Sequence, residues 1–249
     1  GARNVIVDMG VAADLPDHPD LVVRRIAPGT ANIAAGPAMT RAQAIAAIHA
    51  GIEVVEAEIA KGLDIVGTGD MGIGNTTPSA AIATALTGHD PQKIVGRGTG
   101  VDDEGLERKI NAVQRALQVN QPNADDAVDV LAKIGGFEIG GLTGAILAAV
   151  AHRKPVVVDG FISTAAAMLA VSIAPQVQYY LFSAHRSQEK GHQLMLEWLE
   201  LEPMLDMGLR LGEGTGAVLA MSLVEASCKI LSEMATFSEA GVSDKDKEA

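Results

Sequence analysis

Short runs of valine and isoleucine alternate along this chain with longer, alanine-rich stretches of helical period, and glycines cluster where one gives way to the other. NVIVDMGVA (4–12) and LVVRRIA (21–27) predict two strands. A long alanine-rich helix is predicted between Thr40 and Gly62, with Thr40 as N-cap and Gly62 just past its end. LDIV (63–66) predicts a buried strand. Thr76, Thr77 and Pro78 then supply an N-cap and an N1 proline for a helix reaching about Thr87. Asp102 and Asp103 cap a helix that ends near Asn120, and two more cover 125–134 and 139–152. PVVVDG (155–160) predicts a strand leaving Asp159 at its C-terminal end. A helix over 162–173 and a strand over 177–183 follow. A glycine loop, RLGEGTG (210–216), opens a last long helix, and SDKDKEA (243–249) is predicted to fray.

Apolar strands alternating with helices predict an α/β fold: a doubly wound, mostly parallel, Rossmann-like sheet flanked by helices. Several glycine loops and acids fall at strand C-termini or helix starts, where such folds bind ligands. No internal repeat and no long linker divides the chain. One α/β domain is expected over 1–235, with a tail over 236–249.

Composition narrows the class. Of 249 residues 48% are apolar but only 3% aromatic, so alanine-lined helices packed close to a sheet are expected. The net charge of −12 repels nucleic acid and anionic membranes, and neither is an expected partner. A few local cations and backbone N–H groups can still bind one phosphate. The single cysteine, Cys228, allows no internal disulfide and suits a reducing cytoplasm, the expected location. No secretory segment is recognised, and no apolar run is read as long enough for a membrane span. Cys228 reads as a core residue on an apolar helix face, and Trp198 and its neighbouring methionines read as packing.

Three segments carry candidate chemistry. In LDIVGTGDMGIGNTTPSAAIATAL (63–86), Gly67, Gly69 and Gly72 satisfy G-x-G-x-x-G. A dinucleotide loop needs its third glycine inside the first helical turn and an acid ending the next strand. Here the helix signal starts later, no strand ends in such an acid, and Asp70 would face the pyrophosphate. A plain turn does not account for so many glycines either. VVVDGFIST (156–164) resembles the strand and loop that bind phosphoribosyl pyrophosphate, with one acid, Asp159, where that motif usually has two. Asp159 reads equally as a ligand of ribose hydroxyls or as a helix cap. SAHRSQEKGH (183–192) has no nucleophile elbow and no metal-ligand spacing. The Ser187 hydroxyl stays open as a hydrogen-bonding group. Glu213, between two glycines at a helix start, is either a helix N-terminal partner or an exposed general base.

Taken in order, GDMGIGNTTPSAA, GRGTG, GGFEIGGLTGAILAA, PVVVDGFISTAAA, SAHRSQEKGH and LRLGEGTGA resemble the nicotinate-nucleotide:dimethylbenzimidazole phosphoribosyltransferase family. The resemblance runs from Gly1 to about Lys245. It implies transfer of ribose 5-phosphate from nicotinate mononucleotide to 5,6-dimethylbenzimidazole, with inversion at C1′ and without metal or other cofactor. By matching position Glu213 would be the base. Asp70 stands where the family pattern has glutamate, one methylene longer, which leaves its role open. Gly72, Gly74, Asn75 and Gly98 would line the ribose-phosphate site with backbone N–H groups. Lys109 would be the phosphate cation, Asp159 would hold ribose hydroxyls and Ser187 the phosphate. Met71 and Leu211 would be apolar walls for the flat acceptor. Arg210 would meet the nicotinate carboxylate or pair with Asp206.

The resemblance further implies a homodimer. It also implies a small helical subdomain that includes the last helix and is incomplete here, because family members carry a segment before the position of Gly1. Two rivals stay open: a nucleotide-binding remnant lacking one acceptor wall, and a Mg²⁺-dependent transferase using phosphoribosyl pyrophosphate.

Overall fold

Among the described residues every strand runs parallel to its neighbour, as the apolar strand sequences predict. The computed structural model describes residues 1–98 and 100–242; the predicted fraying of 243–249 lies outside them. β1 (Ile6–Asp8) and β2 (Leu21–Val23) form a small sheet of their own. The main sheet holds β3 (Val66–Gly67), β4 (Val156–Val158), β5 (Leu181–His185) and β6 (Pro203–Leu205) in that spatial order. The expected parallel sheet flanked by helices is therefore present, but its strands succeed one another in one direction, with no reversal of order.

Local chemistry explains most boundaries. Thr40 and Gln43 form a reciprocal capping box that starts α1 (Arg41–Ile59). α2 (Thr76–Thr87) starts at its predicted cap instead of after it: Asn75 is the N-cap, and Pro78 sits at the third helical position. α3 (Pro91–Ile94) is a single turn capped by the Asp90 side chain. Asp102 caps α4 (Asp103–Asn120), and Asp126 caps α5 (Ala127–Ile134). α6 (Phe137–Ala151) and α7 (Phe161–Ile173) start from glycines. The strand predicted over 177–183 divides into a 3-10 turn, Pro175–Tyr180, and β5. α8 (His192–Trp198) and β6 are too short to show a periodicity, and the sequence did not reveal them. The predicted buried strand at 63–66 shrinks to the two partly exposed residues of β3.

The two faces of the main sheet are covered differently. Alternation along β4 sends Val156 and Val158 into the large core with α6 and α7, and Val157 to the opposite face. There it meets Ala184 of β5 and Ala217 and Ala220 of α9 (Thr215–Glu233). α7 is buried along nearly its whole length, whereas α9 buries only Gly216, Ala217 and Ala220. Beyond that seat α9 runs free of the sheet, so Cys228 is exposed rather than in the core. By length and composition alone α9 also passes as a membrane span, which corrects the expectation that no run reaches that length. Its first turns are nevertheless seated on the sheet, and it carries a Glu225–Lys229 ion pair.

Candidate active site

Three loops leave the C-terminal ends of parallel strands and gather at one edge. β3 runs into 68–75, β4 into Asp159 and Gly160, and β5 into 186–191. A fourth loop, 206–214, leads from β6 into α9 and lies against the first. The Asp70 N–H donates to the Gly212 carbonyl at 2.8 Å. Gly69 has no room for a side chain, because a Cβ there would lie 2.6 Å from the Gly214 nitrogen. Met71 and Leu211 flank this seam and are 63% and 57% exposed. Arg210 and Glu213 are exposed beside them, and among the described residues neither side chain is engaged in a hydrogen bond or ion pair. Asp206 pairs instead with Arg186, at 3.6 Å, so of the two alternatives for Arg210 the pair with Asp206 is not formed.

A second group is tied together below the surface. Lys109, on α4, donates to the Gly96 carbonyl at 2.9 Å and to the Thr76 hydroxyl at 3.1 Å. It thereby links the second glycine loop to the start of α2. Burial pushes its pKa down, and the nearby Glu189 charge works against that. The buried Glu189 carboxylate accepts the Gly98 N–H at 3.4 Å. Ser187 is buried; its N–H donates to His192 Nδ1 at 3.0 Å, and its hydroxyl accepts the Glu189 N–H at 3.3 Å. His192 Nε2 is 2.9 Å from the Thr164 hydroxyl, which donates to the Gly160 carbonyl at 2.8 Å. Because Nδ1 accepts, Nε2 carries the proton and donates to Thr164. Burial, helped by His185, pulls the His192 pKa down to about 3, so the ring stays neutral in this chain of bonds.

Two of the backbone N–H groups expected to face a phosphate, those of Gly72 and Gly98, are already used inside the protein. The Gly72 N–H donates to Asp70 Oδ1 at 2.7 Å, and the Asn75 side-chain amide donates to the same oxygen. The Gly98 N–H is taken by Glu189. Gly74, at φ +79, faces open space where a Cβ would be. Burial raises the Asp70 pKa, and its two donors oppose the rise.

The sequence reading missed Glu138 and Glu189. Glu138 stands in the first turn of α6, and burial pushes its carboxyl up to about 7, with the Asp70 charge adding to the rise. An acid in the first turn after two glycines is a common helix start, so nothing in the sequence marked it.

Asp159, expected either to hold ribose hydroxyls or to cap a helix, turns inward. It is fully buried, its Oδ2 accepts the Gly214 N–H at 3.0 Å and its Oδ1 accepts the Ala217 N–H at 2.8 Å. Both oxygens are thus engaged at the start of α9. The helix-capping alternative fits, although the helix it caps is α9 and not the next one in the chain.

The chain has known relatives. A family model described as phosphoribosyltransferase matches residues 1–242. The nicotinate-nucleotide–dimethylbenzimidazole phosphoribosyltransferase of Dehalococcoides mccartyi is 57% identical over 98% of this chain and 70% of its own length. That of a Roseiflexus species is 58% identical over 98% of this chain and 69% of its own. The crystal structure of the Thermus thermophilus enzyme superposes with a TM-score of 0.89 at 48% identity, covering 96% of this chain and 70% of that one. A structure of CobT from the same organism gives 0.91 at 51% identity, covering 95% and 71%. The chain thus spans about 70% of the length of these relatives.

Proposed function

The chain belongs to the nicotinate-nucleotide–dimethylbenzimidazole phosphoribosyltransferase family, and from that premise we propose that it moves ribose 5-phosphate from nicotinate mononucleotide to 5,6-dimethylbenzimidazole or a related base. The observation that carries the assignment of roles is Glu213. Its carboxylate stands exposed on a turn between glycines, packed against the loop of Asp70 and Met71. Lys109, Thr76, Gly74 and the Ser187 hydroxyl form the cradle for the ribose 5-phosphate. Met71 and Leu211 offer apolar faces to the flat acceptor, and Arg210 meets the nicotinate carboxylate.

In the donor the leaving base is a pyridinium. The C1′–N bond breaks with its electron pair going to the ring, so nicotinate leaves as a neutral ring without an acid to protonate it. One acceptor nitrogen forms the new bond to C1′ from the opposite face, which inverts the centre. The other nitrogen then carries a proton on a cationic ring. Glu213 accepts that proton and stabilises the positive charge while it builds. No pyrophosphate leaves, so these steps require neither paired acids nor a divalent ion. Full turnover in EDTA supports this donor over phosphoribosyl pyrophosphate, and a strict Mg²⁺ requirement overturns it.

Glu213→Gln tests the central role. Turnover is expected to fall about a hundredfold or more, as loss of a general base typically does. The donor KM should stay within about threefold, because Glu213 faces the acceptor. A mutant turning over near the wild-type rate removes Glu213 from this role. The exposure of Met71 and Leu211 favours a second reading, in which the donor binds but is not turned over. Calorimetry with nicotinate mononucleotide beside an assay for α-ribazole phosphate separates the two. A homodimer is part of the same proposal, and sedimentation velocity tests it: a monomer at micromolar concentration overturns that part.

A further inference from the structure

An exposed base on a glycine-flanked turn raises the question of what holds it in place. General-base catalysis needs the accepting oxygen within about 2.6–3.2 Å of the atom that carries the proton. A misplacement of about 1 Å costs on the order of a hundredfold. Gly214, next to Glu213, has φ +88 and, like Gly212 at φ +80, brings no side-chain packing of its own. The turn must be fixed from beneath.

We propose that Asp159 is the positioning residue for Glu213: its buried carboxylate clamps the turn and the first residues of α9, and so sets where the Glu213 carboxylate stands over the site. The proposal rests on the reading of Glu213 as the base. Asp159 binds on both sides of Thr215, through Gly214 to Oδ2 and Ala217 to Oδ1. Such N–H groups at a helix start are unpaired within the helix and favour a negative partner. Asp159 is itself tied to the sheet. Its own N–H donates to the Thr68 hydroxyl at 3.2 Å, and the Thr68 N–H donates to the Val157 carbonyl at 3.0 Å. His185 Nε2 stands 3.7 Å from Oδ1 on a third side. Gly216 is the residue that lets this approach happen. A Cβ there would collide with the His185 ring and come within 2.8 Å of Asp159 Oδ1. The clamp therefore joins β3, β4 and β5 to the one turn that carries the base.

Kinetics of Asp159→Asn, Glu213→Gln and the double variant test this, with donor binding followed by calorimetry. An asparagine keeps one accepting oxygen and presents an NH₂ to the other N–H, which opens one jaw of the clamp. The single Asp159→Asn variant is expected to lose about tenfold or more in kcat, with the donor KM within about threefold. In the Glu213→Gln background the same change should cost less than about twofold, because the base it positions is already gone. Amide exchange at Gly214 and Ala217 should quicken in Asp159→Asn whatever the role of Glu213. Unchanged exchange there overturns the clamp. Quickened exchange with a normal Glu213→Gln enzyme overturns the base instead, and with it the positioning role. A rise of tenfold or more in donor KM with kcat kept returns Asp159 to the ribose. Equal fractional losses in both backgrounds reduce it to a structural part. Should Asp159→Asn not fold, Thr68→Val removes only the hydroxyl that accepts the Asp159 N–H. About a threefold loss in kcat is expected, again suppressed by Glu213→Gln, and an unsuppressed loss overturns the proposal.

Discussion

The two halves of this site are built on opposite plans. On the donor side Lys109, Ser187, Glu189, His192 and Thr164 are buried or half-buried, and each engages a neighbour by a side-chain hydrogen bond. On the acceptor side Met71, Leu211 and Glu213 stand exposed. The difference follows from what each half is proposed to hold. A phosphate is recognised by donors fixed in advance, and fixing them takes a buried network in which every polar group has a partner. A flat aromatic base is recognised by apolar area, and the one charged group it meets has to stay free to take a proton. Asp70 marks the seam: its backbone N–H is bound to the Gly212 carbonyl and its side chain to Gly72 and Asn75 of its own loop.

The largest expected effect lies at that seam and concerns stability. Glu138 holds its proton up to about pH 7 in the folded protein, against 4.5 for the unperturbed group. The stability this proton contributes is complete below about pH 4.5 and is lost as pH rises to about 7. It amounts to about 3 kcal/mol across the window. Asp70, also raised by burial, adds a smaller contribution of the same sign. Urea denaturation at pH 5 and pH 8 should show the wild type losing stability between the two, and Glu138→Gln losing far less. An identical difference in both proteins would show that Glu138 is not the group responsible.

Lys109→Met comes next. A charged hydrogen-bond donor is worth about 1.5–3 kcal/mol, so the donor KM should rise roughly tenfold to over a hundredfold. The acceptor KM should stay near its wild-type value. A comparable rise in both would mean that the halves are not separable as described.

His192 probes the buried plan one step further from the substrate. His192→Ala leaves the Ser187 N–H without its partner and the Thr164 hydroxyl with only the Gly160 carbonyl, and should raise the donor KM about tenfold. Asn at 192 can return an acceptor to the Ser187 N–H, so it should recover part of that loss. No recovery would mean that ring volume, rather than the hydrogen bond, is what the site needs.

The same contrast decides how much the sequence could reveal. Glycine loops, N-caps and Val-rich strands leave local signals, because each depends on the conformation of a few adjacent residues. The ends of α2, α4 and α7 fall close to where they are expected for that reason. Lys109, Glu213, Met71 and Leu211 carry roles only through family motifs, and the loops of Met71, Leu211 and Glu213 lie against one another. What the sequence hid depends on pairings across long separations. Asp159 meets α9 across 55 and 58 residues, and Glu189 meets Gly98 across 91. Cys228 was misplaced because an apolar helix face looks the same in a sequence whether the fold covers it, as in α7, or leaves it open, as in α9.

The smallest effect belongs to the exposed half and is the sharpest check on the contrast. Leu211 is 57% exposed, so truncating it removes little buried area and opens no cavity in the core. Surface changes of this kind usually alter stability by less than about 0.5 kcal/mol. If the side chain forms a wall for the acceptor, Leu211→Ala removes part of one apolar face of that pocket, worth about 1 kcal/mol in binding. The expected outcome is an acceptor KM raised about fivefold, with the donor KM, kcat and thermal midpoint nearly unchanged. A donor KM that rises equally would place Leu211 over the ribose. An acceptor KM that does not move at all would show that the base binds clear of this loop, and the exposed half would lose its assignment while the buried half kept its own.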